Sequence, residues 1–142
     1  MGASLASKAG AAFGVFYLAL GTIGFAASGF TGFTQNSGDT LLGIGVNPFH
    51  NIAHLGIGAL LVILSLQKNT AATEGAVMGV GLFYVVAFVI GVTASDNLTI
   101  LAIAGEGDAA NLFHLVSGVT LLAIGLISSS ATSAQMKRRG MA

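Results

Sequence analysis

The stretch Asn51-Ile52-Ala53-His54-Leu55-Gly56-Ile57-Gly58 returns sixty positions later as Asn111-Leu112-Phe113-His114-Leu115-Val116-Ser117-Gly118. Each copy opens a long apolar run, so an Asn, a His and a Gly are set twice at one depth of a hydrophobic segment. On a helix, positions 51, 54, 58 and 65 form one stripe, and positions 111, 114, 118 and 125 form another. With hydrocarbon all round, such stripes are costly, so both are expected to face a common interior.

Outward from these strings, the first and third apolar runs also match. Gly14-Val15-Phe16-Tyr17 with Ile23-Gly24 reappears as Gly81-Leu82-Phe83-Tyr84 with Ile90-Gly91. The chain has two tyrosines, which both fall in this pattern, and three histidines, two of which fall in the other. Rare residues recurring in register read as a duplicated helical hairpin, with units of about 9–66 and 75–129. Two spans per unit let both halves enter from one side, related by a pseudo-twofold axis along the membrane normal.

A composition of 54% hydrophobic and 7% charged residues leaves too few polar side chains to cover a water-soluble globule. A bilayer core takes about 20 apolar residues as helix. Four stretches qualify: Ala9 to Ser28, Pro48 to Leu66, Gly75 to Ala94 and Ala109 to Ser129, none holding Lys, Arg, Asp or Glu. The expected fold is therefore an all-α membrane protein, a single four-transmembrane-helix bundle of two tandem hairpins. Zero net charge without a basic stripe argues against nucleic acid, and the absence of cysteine removes thiol chemistry.

The basic residues Lys8, Lys68, Lys137, Arg138 and Arg139 fall on one side of these spans, while the opposite loops carry Asp39, Asp96, Glu106 and Asp108. By the positive-inside rule this places both termini in the cytoplasm. A cleaved leader is the competing account of the first span, with Ala26-Ala27-Ser28 as its exit; the repeat argues against it. Each outer loop contains a short apolar run, after Asp39 and after Asp96, too short to cross and expected to lie at the interface or fold back over the bundle.

Asn47 and Pro48 suit the cap and first position of the second helix, and Asp108 can cap the fourth. His54 then stands about 9 Å inside its helix. Small residues at Gly10, Gly14, Gly21 and Ser28, and at Gly75 and Gly79, allow close helix contact, either within the bundle or with another copy.

Several chemistries suit the polar centre Asn51, His54, Asn111 and His114. Interhelical hydrogen bonds that fix register need no cofactor. A b-type haem ligated by His54 and His114 is the alternative, although the outer side offers carboxylates rather than cations to the propionates. A metal site would add His50, one turn above His54, but position 110 in the repeat is alanine. A proton or solute pathway would want a carboxylate within a span, and these spans contain none. Tyr17 and Tyr84 are candidate hydroxyl partners, although residue counting sets them nearer the cytoplasmic half.

At Asn47-Pro48-Phe49-His50-Asn51-Ile52-Ala53-His54-Leu55, followed by Asn-x-x-His-Leu at 111–115, the chain resembles a family of small bacterial four-helix membrane proteins known as domain of unknown function DUF4383. The resemblance covers about residues 9–130. It implies a four-span protein of the bacterial cytoplasmic membrane and brings no activity, cofactor or catalytic residue with it. The expected role is a non-enzymatic packing or accessory subunit, in contact with lipid and with other membrane subunits or a second copy.

Overall fold

The computed structural model describes residues 3–35, 39–67, 69–93 and 109–140. Four helices make up the bundle: α1 (Leu5–Ser28), α2 (Pro48–Leu66), α3 (Thr70–Thr93) and α4 (Ala109–Arg138). Each is long and apolar enough to cross a bilayer. The second outer loop, including the Asp108 cap and Glu106, lies outside the described residues.

The helix ends follow local chemistry. Ser4 caps α1, its hydroxyl accepting the Ser7 amide at 3.1 Å. Asn47 caps α2, its side-chain oxygen accepting the His50 amide at 2.8 Å with Pro48 in the first turn. Asn69 does the same for α3 through the Ala72 amide at 3.1 Å. These caps satisfy amide donors that the helix itself leaves open.

Pairing within each hairpin rests on glycine. A Cβ on Gly58 would stand 2.7 Å from the Gly14 carbonyl oxygen and 2.8 Å from the Leu18 amide nitrogen; one on Gly118 would stand 2.9 Å from the Gly81 oxygen and 2.8 Å from the Val85 nitrogen. Gly14 corresponds to Gly81 in the repeated pattern, and Gly58 to Gly118, so the two hairpins dock through equivalent backbone contacts. With no hydrophobic drive between helices in lipid, such approach supplies dispersion contacts in its place.

Between hairpins the packing is also paired. α1 meets α3 directly and α1 meets α4 as α2 meets α3, whereas α2 and α4 approach through side chains, the rings of His50 and His114 lying 6.3 Å apart. This is the pattern of a twofold axis running between α1 and α3. Tyr17 and Tyr84, one from each hairpin, stack on it with ring centroids 5.1 Å apart. Below them Leu61, Leu121, Val77 and Val80 complete the buried core. The outer surface is apolar, with Val15, Phe16, Ile63, Phe83, Val116 and Leu126 among the exposed side chains, as a bilayer requires.

The first outer loop folds back over the bundle. Its strands β1 (Thr40–Leu41) and β2 (Ile44–Gly45) pair antiparallel. The two residues between them, Leu42 and Gly43, both have positive φ, 55° and 81°, as a type I′ hairpin turn demands.

Two expectations are corrected. The third helix begins at Thr70 rather than Gly75, so Glu74 lies inside it and is buried at 4% exposure; spans read as free of charge thus conceal a carboxylate. The fourth runs on to Arg138 rather than ending at Ser129, and Ser128 within it is buried. Gly75 and Gly79, for which contact within the bundle and contact with another copy were both open, face outward: a Cβ on either meets nothing within 4 Å.

Candidate functional site

The polar interior has an outer and an inner part. In the outer part, Asn51, His54, Asn111 and His114 are all buried, as their stripes imply. Asn51 rests on α1 where Gly24 leaves room: a Cβ there would collide with its side-chain amide. Its Nδ2 donates to the Ser28 hydroxyl at 2.9 Å. Small residues on α1 thus do two jobs, admitting the α2 backbone and seating a polar side chain.

The histidines and tyrosines form one arc of rings. His54 stacks on Tyr17 at 5.6 Å, Tyr17 on Tyr84 at 5.1 Å, and Tyr84 lies 5.3 Å from His114. The tyrosines, set nearer the other end by residue count, reach the histidines through their rings, while their hydroxyls have no hydrogen-bond partner among the described residues. Gly24 lies over Asn51, Gly21 over Leu55 and Gly14 over Gly58 and Val62. In this register Tyr17 sits about one turn, roughly 6 Å, below His54, a gap its ring spans.

His50 sits above the arc, 4.5 Å from the His54 ring and 6.3 Å from that of His114. Its Nδ1 lies 3.1 Å from the Gly45 carbonyl oxygen on β2. A carbonyl only accepts, so Nδ1 carries the proton in this bond. Position 110, the counterpart in the other half, is a buried alanine. The hairpin closes the histidine group from outside: Leu41, Leu42 and Ile44 line the cavity above His50, His54 and His114.

Space in this region is scarce. The two cavities beside the histidines measure about 20 Å³ each, room for roughly one water molecule. The buried hydroxyls of Tyr17 and Tyr84 and the Nε2 of His54 have no hydrogen-bond partner among the described residues; Ser117 and Tyr84 are the polar groups beside the Tyr17 hydroxyl. Buried polar atoms of this kind call for a small guest such as water. Among the described residues no set of three or more His, Asp or Glu side chains has the geometry to hold a metal ion. The two tyrosine rings stand in contact with both imidazoles that the alternative haem reading takes as ligands.

The inner part centres on Glu74. Its Oε1 accepts the hydroxyls of Ser128 at 2.9 Å and Thr132 at 2.7 Å. The Ser128 oxygen in turn accepts the Ala6 amide at 3.3 Å, which joins α1, α3 and α4 in one chain of donors and acceptors. Nearby, the Thr73 hydroxyl donates to the Leu64 carbonyl at 2.7 Å and ties α3 to the end of α2. The signal for this cluster was present in the sequence: Ser128 and Thr132 are one turn apart on one helix face, and Glu74 is one turn past the first residue of α3.

These features define a multi-pass membrane protein, a closed four-helix bundle with a buried ring stack. The chain belongs to the family described as Domain of unknown function (DUF4383), which it matches over residues 8–127. No curated protein and no solved structure matches it.

Proposed function

We propose that this protein is a non-enzymatic accessory subunit of the bacterial cytoplasmic membrane, a rigid bundle that contacts another membrane subunit or a second copy of itself through α3. The observation that carries this reading is the division of its glycines. Gly14, Gly58, Gly81 and Gly118 are taken up within the hairpins, whereas Gly75 and Gly79, four residues apart, leave an open notch on the outer face of α3. A notch of that spacing admits a neighbouring helix at close range. The filled interior supports the non-enzymatic part, since cavities of about 20 Å³ leave no room there for an organic substrate.

Capture from native membranes in mild detergent, followed by mass spectrometry and mass photometry, tests the reading. The expected result is a defined complex that Gly75→Ile with Gly79→Ile dissolves while the helical content stays unchanged. A chain that emerges alone and monomeric overturns it.

Both termini are read as cytoplasmic, because Lys8, Lys137, Arg138 and Arg139 share one end of the bundle. A cysteine placed beside Arg139 is then labelled by an impermeant maleimide only after the membrane is opened.

A second reading, a single metal ion among the imidazoles, draws on His50, whose Nδ1 proton is held by Gly45 as ligating histidines are commonly oriented. The rings of His54 and His114 would have to close around the ion. Metal analysis of protein purified without chelator separates the two readings, and an absorption spectrum with no Soret band removes the haem variant.

A further inference from the structure

A cavity of about 730 Å³ opens at the end of the bundle that carries the basic residues, between the first turns of α1 and α3 and the last turns of α4. Its walls differ in chemistry. Leu5 and Ile127, 47% and 60% exposed, give one apolar flank. Ser128 and Thr132 form a hydroxyl wall, and Arg138 stands at the mouth with Gln135. Apolar below and cationic at the rim, the cavity matches the layering of a lipid at the membrane surface.

The hydroxyl wall narrows the headgroup. Ser128 and Thr132 both give their protons to Glu74; the Ser128 oxygen also accepts the Ala6 amide, so toward the cavity it is Thr132 that offers lone pairs rather than a donor. Behind them the Glu74 carboxylate is buried and makes no ion pair among the described residues. A buried carboxylate in a membrane protein favours a cation nearby. The wall therefore suits a group that brings N–H donors and positive charge, whereas the rim suits an anion.

Arg138 lies about 9 Å along α4 from Thr132. Arg138, Gln135 and Thr132 line the same cavity, and helical side chains lean toward the helix N-terminus. The span that remains is that of a compact zwitterion. We propose that this cavity binds a phospholipid with a primary-amine headgroup, its phosphate on Arg138, its ammonium on the Thr132 hydroxyl backed by Glu74, and an acyl chain along Leu5 and Ile127.

A quaternary amine has charge but no N–H to donate, and an anionic glycerol headgroup has no cation for the hydroxyl wall; both bind more weakly. This inference is independent of the accessory-subunit reading, because it concerns the opposite side of α3 from Gly75 and Gly79.

The test uses the full chain in nanodiscs of equal parts phosphatidylethanolamine, phosphatidylcholine and phosphatidylglycerol, with native mass spectrometry of the lipid that stays bound. The expected result is one retained phosphatidylethanolamine per chain. Arg138→Gln, at an exposed helix end where folding is not at stake, lowers that occupancy about fivefold, the effect of one interfacial cation. Glu74→Gln removes the preference for phosphatidylethanolamine over phosphatidylcholine. Retained lipid that mirrors the bulk mixture, a preference for phosphatidylglycerol, or occupancy indifferent to Arg138→Gln overturns the proposal.

Discussion

Replacing Gly58 by alanine adds a single methyl group where the structure has no place for it. That carbon would lie 2.7 Å from the Gly14 carbonyl oxygen and 2.8 Å from the Leu18 nitrogen, and ordinary contact begins near 3.4 Å. Both obstacles are backbone, so no side chain can swing aside, and α1 and α2 must part by about 0.7 Å (3.4 less 2.7). A gap of that size forfeits roughly a quarter to a half of each contact's dispersion energy along the pair. Overpacking of this kind costs about 1–3 kcal/mol. Gly118→Ala meets Val85 and Gly81 at nearly the same distances and is expected to cost the same. Gly75→Ala, with open space around it, is expected to be neutral or slightly stabilising, since alanine is the better helix former. The chain has no native cysteine, so a dye pair on two introduced cysteines reports helix separation during SDS titration in mixed micelles. The reasoning is refuted if Gly75→Ala destabilises as much as Gly58→Ala, or if Gly58→Ala and Gly118→Ala differ by more than about 1 kcal/mol, the usual context dependence of such effects.

Three further outcomes follow from particular contacts. Tyr17→Phe and Tyr84→Phe remove hydroxyls that lack a partner among the described residues and keep the ring stack, so each is expected to change stability by less than about 1 kcal/mol; Tyr17→Ala empties the stack and costs about 3–5 kcal/mol. The same SDS titration checks both. Asn51→Leu loses the bond to Ser28 and forces a branched chain against Gly24, with an expected loss of at least about 1 kcal/mol, visible as a lower retention temperature in size-exclusion chromatography after heating. Leu42→Gly relieves a bulky residue at φ 55°, a gain of about 1 kcal/mol, and hydrogen exchange at the Val46 amide, bonded to Asp39, should slow.

The helices were legible because hydrocarbon leaves the chain few options: an apolar run of sufficient length with its amides internally bonded is a helix. The inward stripe of Asn51, His54, Asn111 and His114 followed from the same constraint. Depth was less legible. Counting residues from one helix end gives position along that helix but not the offset between helices, which the glycine contacts set; this is why Tyr17 and Tyr84 looked too far from the histidines. Glu74 was hidden by the rule that found the spans. Starting an apolar window after the last charge places a carboxylate outside by definition, whereas Asn69 as cap and Thr70 as first residue put it one turn inside. The His50–Gly45 bond depends on a hairpin turning back across the bundle, a long-range event that no local pattern encodes.

The axis that passes through the tyrosine stack has a consequence for how such a molecule can be divided. The hairpins meet in a paired way, α1 on α4 as α3 on α2 with Tyr17 on Tyr84 between them, so the junction between residues 5–66 and 70–138 is laid out as the interface of a symmetric dimer is. A chain of only one hairpin would already carry both surfaces of that junction, and two such chains would rebuild the ring stack. A single chain, unlike two identical ones, can hold different residues at matching places, as with histidine at 50 and alanine at 110.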